Sequence, residues 1–231
     1  MNTLSRKVAT IAGFPIHVDL TFLLLGALFV FPDFGNTFTE HFVALMRFPI
    51  LVGSILLHEL GHAWAIQRYG HGRSKILLWG MGGLCINRSR YGNKEGLRIA
   101  LAGPGAGLLL GLPSLAAWLI ANSAGLQGEL ATAILGVLSF LVFVNVGWSL
   151  MNLLPIFPLD GGRVLMYALR IYGHKSADRS VKIAGLVGLI LLLPLGLLCL
   201  ASGQIFMIFI IFFIGHTSWQ AYKGGTAAVA G

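Results

Sequence analysis

The sequence predicts an all-α polytopic membrane protein of about six transmembrane helices, with a membrane-associated β-hairpin after the second. Three observations carry that expectation. The 231 residues are 56% hydrophobic and only 10% charged, where soluble domains carry about 25% charge, and the mean hydropathy is +0.83. The apolar residues fall in six blocks, each long enough to cross a hydrocarbon core of about 30 Å as a helix. The cations fall between the blocks, on alternate sides. No polar stretch is long enough for a separate soluble domain, and no internal repeat or low-complexity run interrupts the chain. One membrane-embedded domain over 1–231 is therefore expected, with its core at about 13–163 and additional helices over 183–222. A net charge of +8 would suit nucleic acid, but short basic loops between apolar spans read instead as topology and contact with the lipid bilayer. No nucleic-acid partner is expected.

The first block, 14–32, follows Arg6 and Lys7 as the core of a signal peptide would. It lacks a small-x-small cleavage site and is expected to stay as an anchor. The remaining blocks are 42–67, 97–121, 130–154, 183–201 and 204–222. Arg6, Lys7, the 68–98 connection and the 163–182 connection hold fourteen of the sixteen Lys and Arg residues, and Lys223 follows the last block. The loops 33–41, 122–129 and 202–203 hold none, and Arg47 lies just inside the second block. By the positive-inside rule both termini face the cytosol, at the cell membrane if the source is prokaryotic. Within the 68–98 connection, Ile76-Leu77-Leu78-Trp79 and Leu84-Cys85-Ile86-Asn87 are short strand-like runs joined by Gly80-Met81-Gly82-Gly83. They predict a hairpin dipping into the cytosolic half of the membrane, the alternative being an interfacial loop. Cys85 and Cys199 fall on opposite sides of the membrane and are expected as packing residues.

The second block contains His58-Glu59-Leu60-Gly61-His62. Residues four apart share a helix face, so His58 and His62 can present two imidazoles to one metal with Glu59 beside them as a base, the H-E-x-x-H pattern of zinc proteases. An ionisable residue at the centre of a membrane helix costs roughly 2.5–3.5 kcal/mol. Three polar residues in one buried stretch therefore weigh against a chance match. His62 and His58 precede the boundary residue Arg68 by six and ten positions, which places them roughly 9 and 15 Å deep on the cytosolic side. Water must reach them, so a polar cleft opening to the cytosol is expected.

A catalytic zinc has three protein ligands and an open position. Of the eight carboxylates, Glu59 is the base, Asp33, Glu40 and Glu129 are on the far side, and Glu95 and Asp178 are in basic loops. Asp19 and Asp160 remain. Asp160 follows an irregular, proline-containing segment, Asn152 to Leu159, of the kind tolerated at membrane depth only where it lines a cavity or is buried. The competing reading pairs Asp160 with Arg163 at a kinked helix end. His17 and Asp19 suit a local hydrogen bond or helix cap better than ligation. Trp64, Trp79, Trp148 and Trp219 read as interfacial anchors, and the glycines of 103–111 as sites of close helix packing.

Together, His58-Glu-Leu-Gly-His62 and Asn152-x-x-Pro155-x-x-Pro158-Leu-Asp160-Gly161 resemble the site-2 protease family of intramembrane zinc metalloproteases. Gly13-Phe14-Pro15-Ile16, Gly82-Gly83 and Ala102-Gly103-Pro104 extend the likeness over residues 13–163. The resemblance implies one Zn2+ held by His58, His62 and Asp160, with Glu59 as general base and Asn152 near the substrate carbonyl. It is to a minimal form without PDZ or CBS domain. Where many relatives carry Asn after Ala-Gly-Pro, this chain has Gly105-Ala106-Gly107.

The resemblance implies an intramembrane endopeptidase that cleaves transmembrane segments of single-pass or other membrane proteins, in regulated proteolysis. The hairpin (Gly82, Gly83, Leu84, Cys85, Ile86) would take the unwound substrate by strand addition, and Asn152 would donate to the oxyanion or bond carbonyls freed by the prolines. A zinc-binding transporter is the alternative, but no ionisable residues lie deep on the outer side to complete a path. A catalytically dead scaffold would be expected to lose Glu59.

Overall fold

In the computed structural model, which describes residues 5–31, 35, 37–203 and 205–226, the chain begins as a hairpin rather than as a membrane helix. β1 (Ser5–Ile11) and β2 (Phe14–Asp19) pair antiparallel, with Ile11 opposite Phe14. The turn residues Ala12 and Gly13 both have positive φ, 50° and 83°, as a two-residue hairpin turn with the right twist requires. The first apolar block is thus corrected. Its Phe14–Asp19 portion is a strand with Phe14 and Ile16 buried in alternation, and the helix that follows, α1 (Thr21–Val30), has ten residues. At 1.5 Å per residue α1 is about 15 Å long.

The long helix α2 (Phe38–Arg68) starts on a capping box, with Thr37 accepting from the Glu40 backbone and Glu40 accepting from that of Thr37. Its Pro49 stays within the helix. β3 (Lys75–Trp79) and β4 (Gly82–Ile86) form the expected hairpin, closed by the pair Trp79 and Gly82, so that the loop is Gly80-Met81 alone. β2 lies parallel to β3, with Ile16 opposite Ile76. The sheet runs in the order β1-β2-β3-β4, placing β4 at its end.

Next come α3 (Asn93–Ser123), α4 (Glu129–Val142), a π-helical turn (Phe143–Gly147) and α5 (Trp148–Asn152). After an irregular stretch the chain forms α6 (Asp160–Ile171), α7 (Ala177–Ala201) and α8 (Ile205–Gly224). The amphipathic α6 lies in what the sequence suggested was a loop. Among the described residues, four helices are long and apolar enough to cross a membrane: Phe38–Arg68, Asn93–Ser123, Glu129–Asn152 and Ala177–Ala201.

Two compact units result. The first comprises the described residues of Met1–Ser89 and Ala102–Ser149. Its core joins one face of the sheet (Phe14, Ile16, Ile76, Leu78) to α1 (Phe22, Leu25) and α2 (Leu51, Ile55, Ala63). Trp148, expected as an interfacial anchor, packs against this core. The second comprises the described residues of Arg90–Leu101 and Leu150–Gly231. Here Gly185 of α7 lets the backbone of α8 approach at Ser218 and Tyr222, the small-residue contact common between membrane helices.

Candidate metal centre

The first unit contributes two imidazoles and a carboxylate from one helix. His58, Glu59 and His62 are 5%, 6% and 7% exposed. Four-residue spacing stacks the two histidines on one face, and their Nε2 atoms are 3.2 Å apart. Two Zn–N bonds of about 2.0–2.1 Å at a tetrahedral angle separate their nitrogens by about 3.3–3.4 Å. The pair therefore has the span of two ligands on one ion.

Glycines make the room. A Cβ at Gly103 of α3 would run into the Nε2 of His62. One at Gly61 would meet the Ala102 carbonyl and the Ala106 side chain, so α2 and α3 approach at their backbones. A Cβ at Gly83 of β4 would strike the Glu59 side chain, so the last strand of the sheet lies directly against the candidate base.

The other carboxylates are engaged elsewhere. Asp19 accepts from the Thr21 backbone at 2.9 Å and its hydroxyl at 2.7 Å. These two bonds hold its carboxyl below the usual range. The Thr21 hydroxyl accepts from Gly80 at 2.9 Å, tying the start of α1 to the β3–β4 turn. Asp19 is thus the local cap expected. Glu40 caps α2, Glu95 accepts from the Gly92 backbone at 3.2 Å, and Asp178 pairs with Lys182 at 2.8 Å. Asp33 lies outside the described residues.

In the second unit Asp160 is the first residue of α6 and is 7% exposed. Its neighbours Gly161 and Gly162 allow the helix start to fold onto the Leu153–Phe157 backbone, which a Cβ at either position would strike. That segment is held by α8, whose Ser218 hydroxyl donates to the Phe157 carbonyl at 2.9 Å, and by Gly188 of α7, which leaves room for Ile156. Asn152 ends α5 and is half-buried. His58 and His62 of the first unit and Asp160 of the second are each buried, metal-ligating side chains. Two imidazoles and a carboxylate are a donor set that suits zinc.

The sequence pattern of peptidase family M50 matches residues 47–195. The chain belongs to that family. It is 32% identical over 213 residues to a zinc metalloprotease of Methanocaldococcus jannaschii, covering 91% of this chain and 58% of the relative. It is 29% identical over 153 residues to stage IV sporulation protein FB of Bacillus subtilis, covering 65% of this chain and 46% of that protein. Among solved structures, the site-2 protease from Methanocaldococcus jannaschii matches with a TM-score of 0.62 and 26% identity, over 95% of each chain. This M50 chain therefore spans roughly half the length of the two curated relatives. Zinc is the metal of the family, and the donor set here fits it.

Sequence reasoning missed several supporting residues. It overlooked Asn145, which is 1% exposed on the π-helical turn and donates to the Ser54 hydroxyl of α2, one turn before His58, at 2.9 Å. Gly107 faces Ser149 and the Asn145 carbonyl, so polar groups at that level of α3 come from the π-helical turn and α5. Gly61 and Gly103 carried a readable signal, because glycine inside a helix costs about 1 kcal/mol relative to alanine and invites a packing reason. Gly103→Ala is expected to displace the His62 ring and lower zinc content while leaving helicity unchanged. Metal analysis beside circular dichroism checks this, and full zinc content would contradict the packing argument.

Proposed function

We propose that this chain is an intramembrane zinc endopeptidase that hydrolyses peptide bonds within or near transmembrane segments of membrane-protein substrates, in regulated proteolysis. The observation that carries the reading is the buried His58–His62 pair, at metal-ligand separation, beside Glu59 on a helix long enough to span a bilayer. In this reading His58, His62 and Asp160 hold one zinc, and the two compact units act as one catalytic domain. Bound zinc supplies Lewis acidity, polarising a carbonyl and lowering the pKa of a water. Glu59 accepts the proton of the attacking water and delivers it to the leaving amine. Asn152 donates its amide hydrogen to the developing oxyanion or to substrate backbone.

The finer topology belongs to the same proposal. Six crossings, with α1 and α8 added to the four long helices, place both termini in the cytosol. A membrane-impermeant thiol reagent should then reach Cys85 from the cytosolic face only, and labelling from outside would reverse the orientation.

Purified protein tested on a transmembrane peptide, with and without chelator, decides the activity. Cleavage should stop on metal removal and return with zinc. Chelator-resistant cleavage, or none with zinc bound, would remove the protease reading.

A transmembrane substrate hides its carbonyls in helical hydrogen bonds and must unwind before it is cut. β4 ends the sheet and lies against Glu59, which supports strand addition along its outer side. The closing pair Trp79 and Gly82 sets the alternation. Leu84 and Ile86 turn their backbone groups toward β3, while Gly83 and Cys85 turn theirs away. Cys85→Pro should therefore impair cleavage with the hairpin and zinc retained, whereas Leu84→Pro or Ile86→Pro should disrupt the hairpin itself. Normal turnover by Cys85→Pro would exclude pairing through this strand.

A further inference from the structure

The core uses one face of the sheet. Phe14, Ile16, Ile76 and Leu78 point into it, so alternation turns Lys75, Leu77 and Trp79 of β3 to the opposite face. The register carries that outer face across all four strands. Lys7 lies opposite His17, His17 opposite Leu77, Leu77 opposite Leu84, and Lys75 opposite Ile86. The outer face therefore carries one lysine on β1 and one on β3, and is apolar at Leu77 and toward β4, where Leu84 and Ile86 are 41% and 36% exposed. Arg73, exposed just before β3, lies alongside Gly13 in the β1–β2 turn, its guanidinium carbon 3.7 Å from where a Cβ there would sit.

These cations lack counter-charges. Among the described residues Lys7, Arg73 and Lys75 make no ion pair and no side-chain hydrogen bond. Asp19 of β2 is engaged by Thr21. Burial, with Lys75 and then Lys7 adding to it, holds the His17 imidazole below its ordinary pKa, and its buried Nδ1 has no hydrogen-bond partner. Lys7 and Lys75, on the strands either side of β2, and Arg73 beside the β1–β2 turn are like charges that repel one another across this face. An anion above this face would relieve that repulsion.

We propose that this face seats the sheet on anionic lipid headgroups of the cytosolic leaflet. Lys7, Arg73 and Lys75 meet lipid phosphates, and Leu84 and Ile86 enter the acyl boundary. Cations and exposed apolar side chains on one face match a lipid surface, which offers both chemistries within a few ångströms of depth. The inference rests on the membrane reading above and deepens it. It fixes the depth at which β4 stands and makes cleavage sensitive to lipid charge.

The test uses the full chain reconstituted in bilayer discs of phosphatidylcholine, alone or mixed with phosphatidylglycerol. Lipid retained after mild detergent extraction is counted by mass spectrometry. The wild-type chain should retain phosphatidylglycerol preferentially. Lys7→Gln/Lys75→Gln should weaken that preference by roughly fivefold per lysine, and Lys7→Arg/Lys75→Arg should restore it. Arg179→Gln, exposed at the start of α7, should weaken it less than the loss of either lysine. Unchanged preference in the double glutamine variant, equal loss in Arg179→Gln, or tighter binding of a polyglutamate peptide than of the anionic discs would overturn the proposal. Release of the chain from membranes by alkaline carbonate would instead sink the membrane reading itself, independently of lipid charge.

Discussion

A Glu59→Gln variant is expected to purify with its full complement of zinc and to cleave nothing measurable. Glu59 shares its helix with His58 and His62 but is assigned as a base rather than a ligand. The carboxamide keeps the shape that fits beneath Gly83 and removes only the capacity to carry a proton. General acid–base catalysis contributes about 10²–10⁴-fold, and here one side chain serves both the attacking water and the leaving amine. Loss toward the upper end of that range is therefore expected. Metal analysis and a cleavage assay on the same preparation read the two properties separately. Zinc lost along with activity would make Glu59 a ligand, and turnover within tenfold of wild type would move the base elsewhere.

Asp160→Ala should strip zinc from the protein, while Asp19→Ala should leave it bound. Replacing even the outer partners of metal ligands costs about 10–100-fold in affinity, so removing one of three direct ligands should exceed that. Asp19 has a different occupation. Its bonds to Thr21, and through Thr21 to Gly80, join α1 to the β3–β4 turn. Its replacement should loosen the hairpin without touching the metal. Because these bonds depress its pKa, their stabilisation is present above the ordinary carboxylate range and is lost as pH falls through the lowered value. Zinc titrations of the two variants at neutral pH compare them directly. A zinc-free Asp19→Ala beside a zinc-loaded Asp160→Ala would exchange the two assignments.

The sequence by itself determined the features that depend on near neighbours along the chain. A bilayer selects for runs of apolar residues, so the four long helices were legible to within a few residues. Four-residue spacing puts His58 and His62 on one face whatever surrounds them. The two short strand-like runs make a hairpin because the glycine-rich segment Gly80–Gly83 joins them. Tertiary structure alone decided the rest. β2 was hidden inside an apolar block because alternation is hard to see where nearly every residue is apolar, and its second partner strand lies sixty residues on, at Ile76. Which group engages Asp19 was decided there too: the Thr21 hydroxyl donates to it at 2.7 Å. The sequence marked Gly103 as a packing glycine but not its neighbour, and the partners of Gly83 and Gly103 came only from the structure, because a glycine is defined by what fills the space its missing Cβ leaves. At these positions the Glu59 and His62 side chains fill it, brought there by packing between elements distant in the chain.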